Sequence, residues 1–457
     1  MKKAKWFLLF VVFALVVAAC GGDDDDAGGD DGGETATTSA DGEGADLSGT
    51  SVSVFGAPTG DEATAFDNTF AVWNEETGGE AVYEGSDSLE TQLPIRVDGG
   101  NPPDIALLPQ PGTICGYSED LVSLEDMGFD IAALEEVHGS FFIALGECDD
   151  GQHYAIPTNA NMKSLVWYNK PLFDGNGYTV PETWDDLVAL SEQALADGVT
   201  PWCIGFGSDA ATGWPGTDWI EDIMIRTVGV EGYLDWASND LPFSSDEVTR
   251  AFDLFGEIMF TEGFVLGGAD GVAAIDFRDA PDPMFNDPPS CLMHRQANFI
   301  VNFFPEGVEL GTDTDFFVFP DIDPEYTGAV MGGGELAVVF DARPEVVQFL
   351  RDFSGPTYQC VHASPVGDPT LGGNGTEAIE RISANAETPI DCYQTDSVKR
   401  LAEAIGTALG NDAFAFDGSD IMPAAVGTGS FWTGMVDWSR GASYSDVAAT
   451  IDASFDQ

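Results

Sequence analysis

Ser208–Asp222 reads SDAATGWPGTDWIED. It follows Trp202-Cys203-Ile204-Gly205-Phe206, an apolar run that reads as a buried strand, and precedes Ile220–Val228, whose spacing predicts a helix. Trp214, Trp219 and the carboxylates Asp209, Asp218, Glu221 and Asp222 crowd the turn between them. Pockets for small ligands set a few convergent polar groups against flat apolar walls. Indole supplies such a wall, and carboxylate oxygens accept hydrogen bonds from hydroxyls. A sugar ring, with an apolar C–H face and a hydroxyl edge, suits that combination. A second reading stands beside this one: both indoles are core anchors and the acids form a solvated turn.

The same strand–loop–helix unit recurs through the chain, which predicts an α/β fold. Ser51–Phe55 alternates as a strand does, and Thr59-Gly60-Asp61-Glu62 has the form of a capping box ahead of Phe66, Phe70 and Trp73 at helical spacing. Further strands are expected at 104–108, 165–168, 316–319 and 336–340. Helices are expected from Trp184, over 248–259 and after Pro344. A body of 409 residues from about Gly49 exceeds one comfortable core, so two domains are expected.

Lys2, Lys3 and Lys5 precede an apolar run from Trp6 to Ala19 that stops at Cys20. The run is short for a membrane span. Val17-Ala18-Ala19-Cys20 matches a lipoprotein box, predicting a signal peptide over 1–19 and a lipidated Cys20 at the mature N-terminus, outside the cytoplasm. An ordinary secretory peptide cleaved nearby is the alternative. Residues 20–48 are nearly all Asp, Gly, Ala, Thr and Glu, a composition expected to form a disordered acidic tether.

That tether holds ten of the 79 acidic residues, which leaves 69 acids against 13 basic residues in the body. Nucleic acid and anionic membrane surfaces are poor partners for such a field. The acidity, with Lys163, Lys170 and Lys399 as the body's lysines, suggests a salty habitat, where charges are screened within about 3 Å. Cys115, Cys148, Cys203, Cys291, Cys360 and Cys392 form an even set in an exported chain, which favours disulfides. Sequence leaves 15 connectivities open, and the sequential one, 115–148, 203–291 and 360–392, is preferred. Four scattered histidines and the lack of C-x-x-C argue against zinc, and neither a metal nor a cofactor is expected. The acid clusters Asp279/Asp282/Asp287 and Asp321/Asp323/Glu325 depart from the EF-hand pattern. G-x-S-x-G, H-E-x-x-H, P-loop and dinucleotide motifs are all missing.

Several segments in order resemble the extracellular solute-binding proteins of ABC importers, in the carbohydrate family that includes maltose-binding protein. Thr183-Trp184-Asp185-Asp186-Leu187 after Trp167-Tyr168-Asn169-Lys170 resembles one signature of that family. Ile421-Met422-Pro423 leading to Phe431-Trp432 resembles another. Pro109–Gly112, Thr200–Gly205, Ala211–Pro215, Asp218–Asp222 and Met293–Ala297 resemble its alpha-glucoside-binding branch.

The resemblance implies a two-lobed periplasmic-binding-protein type II fold with a hinge and an interlobe ligand cleft. Lobe 1 would comprise 49–157 and 335–366, and lobe 2 would comprise 158–331 and 370–457. Strand crossings would fall near Pro157-Thr158, Gly332–Gly334 and Pro365–Thr370. Trp432 resembles the family's stacking tryptophan, and Phe299 stands where another aromatic wall is usual, or else in the core. Gln110 would reach the ligand from the first lobe, where relatives often carry a charge. Trp214, Asp218 and Asp209 would approach from the second, with Asp61 and Glu62 at a helix start. Arg295 either bonds the ligand or neutralises a cleft acid, and Glu335 either accepts from the ligand or forms a salt bridge. Trp184 and Trp202 are expected in the core.

The function implied is non-enzymatic: a monomeric, lipid-anchored protein that captures an alpha-glucoside or related oligosaccharide and delivers it to membrane permease subunits. The alternatives are a binding protein for a cation such as a polyamine, a secreted glycoside hydrolase, whose two carboxylates 69 acids could supply, and a cell-surface adhesion module.

Overall fold

The structure, a computed structural model, describes residues 46–363, 381–393, 396–411 and 413–456. The expected leader over 1–19, Cys20, the tether up to residue 45 and the crossing near Pro365–Thr370 lie outside the described residues, as does the side chain of Asp61.

The first strands are β1 (Ser51–Gly56), β2 (Glu80–Gly85), β3 (Ile105–Leu108), β4 (Ala155–Pro157), β5 (Asn161–Met162) and β6 (Leu165–Asn169). Then follow β7 (Thr200–Trp202), β8 (Cys291–Arg295), β9 (Thr314–Val318), β10 (Val330–Gly333), β11 (Leu336–Val339) and β12 (Phe414–Phe416). They form three sheets, ordered β2-β1-β3-β11-β4, β12-β10-β5 and β7-β8-β6-β9. In the first, β1 runs parallel to β2 and β3, while β11 is antiparallel to β3 and β4.

Alternation in β1 sends Val52 and Val54 into one core with Phe70, Trp73 and Phe349. Phe55 points the other way, into a cluster with Leu108, Met162 and Trp167. Both faces of this sheet are therefore covered, as layered α/β folds require. A third cluster is built on the helix Trp214–Ala237. There Trp219 stacks on Phe255 at 4.8 Å and meets Trp202 edge-on at 5.0 Å. Trp184 and Trp202 are buried, as expected of core residues.

Two chain crossings lie side by side. The chain leaves the first sheet after β4 and enters the second at β5, and returns from β10 to β11. Thr158 N donates to Glu335 O at 2.8 Å, and Glu335 N donates to Asn159 Oδ1 at 2.7 Å. Gly334 is required here: a Cβ would lie 2.2 Å from Asn159 O.

Three local expectations are corrected. The helix after Phe206 starts at Trp214, six residues before Ile220, because Pro215 is preset for the first helical turn. The strand expected over Trp202–Phe206 ends at Trp202. Beyond it, Cys203 N and Phe206 N bond to Met293 O and Val272 O, so the buried backbone is satisfied without a continuous ladder. The first helix spans Gly60–Thr77, but Thr59 makes no cap bond; its hydroxyl donates to Asp87 Oδ1 at 3.1 Å, and Glu62 is free of the cap. At Thr183 the capping box is complete, with the Thr183 side chain accepting from Asp186 N and Asp186 accepting from Thr183 N. The disulfides are Cys115–Cys148, Cys203–Cys291 and Cys360–Cys392, the sequential pairing. Among the described residues, no helix is long and apolar enough to cross a membrane.

Candidate functional site

Trp214 and Trp432 line one cavity, and Gly213 lets the chain before Trp214 pack on the Trp432 backbone. The Gly213 φ of +121° is open to few residues other than glycine, and a Cβ there would lie 2.1 Å from Trp432 O. The chain can come this close to the Trp432 backbone only across that bare position. Trp432 Nε1 donates to Ser419 Oγ at 3.1 Å, which fixes the plane of its indole. Trp214 packs edge-on against Phe277, 5.0 Å between centroids, with Phe299 at 6.1 Å. The Lys163 ammonium lies 5.1 Å from its ring centre, a cation–π distance.

These aromatics wall a cavity of 150 Å³. That is room for about ten waters, on the order of 300 Å³ of liquid, and so for a compact disaccharide or a one-ring glycoside. The first sheet's side contributes Glu62, Asp87, Glu90 and Gln110. The chain crossings contribute Asn161, Lys163 and Glu335. Opposite stand Trp214, Phe277, Arg278, Phe299, Asp420 and Trp432.

Of the residues singled out in the sequence, Trp214, Trp432, Gln110, Phe299, Glu335 and Glu62 are brought together here. Asp209 is exposed on a short turn, while its neighbours Ser208 and Ala211 reach the cavity. Asp218 and Arg295 are fully buried behind the wall and do not line it.

They belong to an ionic network. Arg295 bonds Asp218 Oδ2 through Nη1 at 2.7 Å and Asp222 Oδ2 through Nε at 2.9 Å. Arg226 Nη1 donates to Asp222 Oδ1 at 2.8 Å. Lys163 Nζ lies 3.3 Å from Asp218 and 3.8 Å from Asp420, and hydrogen-bonds Asp417. Glu221 accepts from Gly418 N at 2.9 Å and Ser419 N at 3.2 Å. Five carboxyls thus face three cations with almost no water, and two must carry protons to balance the charge.

The titration of the group follows that count. Burial pushes Glu221 and Asp420 well above the carboxylate range, and Asp417 raises both further. Burial also lifts Asp218, against Lys163 and Arg295, to about 6. For Asp417 the pull of Lys163 and of hydrogen bonds exceeds the burial effect and holds it down at about 2. Burial alone would lower Lys163, but the surrounding carboxylates keep it well above its ordinary value. Asp218, Glu221 and Asp417 place oxygens within 4.8 Å of one another, a spacing that could grip a cation. The Lys163 ammonium, bonded to two of the three, supplies that charge.

On the other wall, Arg381 Nη2 donates to Glu335 Oε2 at 2.9 Å and its guanidinium lies 4.6 Å from the Phe66 ring centre. Burial raises Glu62 to about 7, with Arg381 opposing and Glu335 adding to the rise. Asp87 joins the two walls by a 2.7 Å ion pair with Arg278. Lys163, Asp420, Arg278, Asp87 and Glu90 were not singled out in the sequence. A signal existed for one of them, since Lys163 is one of three lysines in the body and stands two residues before the apolar strand Leu165–Tyr168.

Residues 56–351 match the model of the bacterial extracellular solute-binding protein family. The chain is 37% identical over 422 residues to the alpha-glucosides-binding periplasmic protein AglE of Rhizobium meliloti, covering 91% of this chain and 89% of that protein. It is also 37% identical over 406 residues to the osmoprotective compounds-binding protein GgtB of Synechocystis, covering 88% and 92%. A solved structure connected with xylan utilization by the thermophilic bacterium Caldanaerobius polysaccharolyticus superposes with a TM-score of 0.69 at 18% identity, over 88% of this chain and 99% of that one, a likeness of fold alone. The chain therefore belongs to the bacterial extracellular solute-binding proteins, and its α/β fold is the two-lobed one of that family.

Proposed function

We propose that this protein is the solute-binding component of an ABC sugar importer and that its ligand is a small alpha-glucoside. The observation that carries the reading is the cavity walled by Trp214 and Trp432 and edged by carboxylates, in a chain 37% identical along most of its length to an alpha-glucosides-binding protein. Sugar C–H faces lie against the indoles while hydroxyls donate to Glu62, Glu335 and Asp420 and bond the amides of Gln110 and Asn161. Lobe 1 (49–157 and 335–363, with 381–393) and lobe 2 (158–331, 396–411 and 413–456) turn about the paired crossings at 157–161 and 332–336. Cys360–Cys392 and the Asn385–Ser354 hydrogen bond tie 381–393 to lobe 1 and not to lobe 2. A ligand touching both walls binds the closed arrangement better and shifts the population toward it. The closed form is what the permease subunits engage. Cys20 carries the lipid that holds the monomer at the outer face of the cell membrane. The family and the relatives named above are binding proteins, which removes the hydrolase alternative.

A second reading, a cationic ligand, draws on the acids of the wall, where Glu62, Asp87, Glu90, Glu335 and Asp420 outnumber Lys163 and Arg278. Tryptophan fluorescence and calorimetry with maltose, trehalose, sucrose, methyl alpha-glucoside and spermidine separate the two. At least one glucoside is expected to bind at micromolar concentration or below and spermidine not to compete. Binding of spermidine with silence from every sugar overturns the glucoside reading.

A further inference from the structure

We propose that the ligand site has a second compartment, apolar and open at its far end, that takes the aglycone of the glucoside; this rests on the glucoside reading of the first cavity. A separate cavity of 440 Å³ adjoins the first. Glu90 and Gln110 line both, which places these two side chains at the junction of the chambers.

The chemistry of the two chambers differs. The second is walled by Leu89, Leu93, Pro94, Leu108, Tyr117 and Pro423. Two of its three side-chain hydroxyls are already committed, since Thr113 Oγ1 donates to Gln110 O at 2.8 Å and Thr428 Oγ1 to Ala424 O at 2.9 Å, while the Tyr117 hydroxyl has no hydrogen-bond partner among the described residues. Apart from Tyr117, its free polar side chains are Glu90 and Gln110 at the junction, so a hydroxyl-rich ring set against Leu89, Leu93, Pro94 and Leu108 would find few partners along that wall. An alkyl or aryl group would lose nothing and would leave water. At the junction the Gln110 side chain is buried and has no hydrogen-bond partner among the described residues, so its amide is available to an oxygen or hydroxyl passing between the chambers. Gly116, Pro423 and Ala424 are exposed, so the far end opens to solvent and does not cap the aglycone's length.

The test compares methyl with n-butyl alpha-glucoside on the exported chain by calorimetry. Each buried methylene is worth about fourfold in affinity, so butyl is expected to bind roughly tenfold or more tightly than methyl. Ala424→Trp fills the mouth of the second chamber and is expected to bring the butyl-to-methyl ratio close to one. Gly116→Phe, at a position where an added Cβ meets nothing within 4 Å, does the same from the other rim, and melting curves confirm that each variant folds. Equal affinity for the two glucosides overturns the proposal. So does a butyl gain that both variants leave intact, or a gain confined to maltotriose, which would make the chamber a sugar subsite. If neither glucoside nor any disaccharide binds, the glucoside reading fails together with it, an outcome distinct from methyl alpha-glucoside binding without a butyl gain.

Discussion

Two groups of acids lie within a few residues of the same cavity and look alike in sequence, yet their surroundings differ. Asp218, Asp222 and Asp417 are shut away from water and each is tied to Lys163, Arg226 or Arg295. Their bonds are spent inside the protein, where they fix the helix Trp214–Ala237 against β8 and the Asp417 turn. Glu62 and Glu90 line the cavity, and among the described residues neither forms an ion pair. Buried charges with complete partners set geometry. Half-buried ones with spare acceptors are left for something else to satisfy. Sequence composition counts both as acid, and solvent access divides them.

The strongest way to break this division is Arg295→Met. It leaves Asp218 and Asp222 buried with their main partner gone, for an expected loss of about 3–5 kcal/mol. Denaturant unfolding measures it. Normal stability with lost sugar affinity would move the network from scaffold to recognition. Next come the tryptophans, which divide the same way. Trp432 is 3% exposed and bonded to Ser419, so Trp432→Ala is expected to cost about 3–5 kcal/mol of stability as well as most of the binding. Trp214 is half-buried, packed at the edge of the core on Phe277, and its indole nitrogen has no hydrogen-bond partner among the described residues. Trp214→Ala is therefore expected to weaken sugar binding about 10–100-fold with a smaller melting loss than Trp432→Ala. Equal melting losses for both would place Trp214 in the core.

Much of the scaffold was legible because local rules agree with the fold. Val52 and Val54 alternate into the core, Thr183 and Asp186 cap as their spacing predicts, and the cysteines pair in order. Of the cavity, Trp214 was legible from its crowded turn, while Trp432, Phe299, Gln110, Glu62 and Glu335 came from the family resemblance and from no local pattern. Asp218 misled because its neighbourhood in sequence, beside Trp214, is the neighbourhood of the wall, whereas Arg295 follows the second of its two readings and neutralises acids, Asp218 and Asp222. A helix sends residues four apart to the same face, so Asp218 follows Trp214 closely but lies one turn deeper, under Lys163. Arg278 and Asp87 were invisible, since an ion pair 191 residues apart leaves no local pattern.

Glu62 offers a finer probe, through pH. Its carboxyl titrates at about 7 in the folded chain, raised by burial from 4.5. Below pH 4.5 both folded and unfolded chains hold the proton. Between 4.5 and 7 the unfolded chain loses it first, so stability falls with rising pH, and above 7 the full cost is present. Glu62→Gln is therefore expected to change little at pH 4 and to stabilise the unliganded protein at pH 8, by up to about 3 kcal/mol. Sugar affinity is expected to rise through pH 7 in the parent, as the carboxylate becomes a full acceptor, and to stay flat in the variant. A parallel rise in both would assign the pH dependence to another group.

The smallest effect belongs to the pair that joins the walls. Arg278 and Asp87 are 2.7 Å apart, but their side chains are 24% and 40% exposed, so water and salt compete for both. Exposed pairs of this kind are worth about 0.2–1 kcal/mol. Arg278→Ala is expected to weaken sugar binding less than about fivefold, and the difference is expected to shrink at high ionic strength as screening closes in. Phe277 and Phe303, which the guanidinium overlies at 4.7 and 5.7 Å, keep the aromatic surface in place when the charge is removed. A loss of more than tenfold that salt leaves untouched would mean that Arg278 touches the ligand itself. It would then stand with Glu62 among the groups whose bonds are left for the ligand, and no longer with those that only hold the walls together.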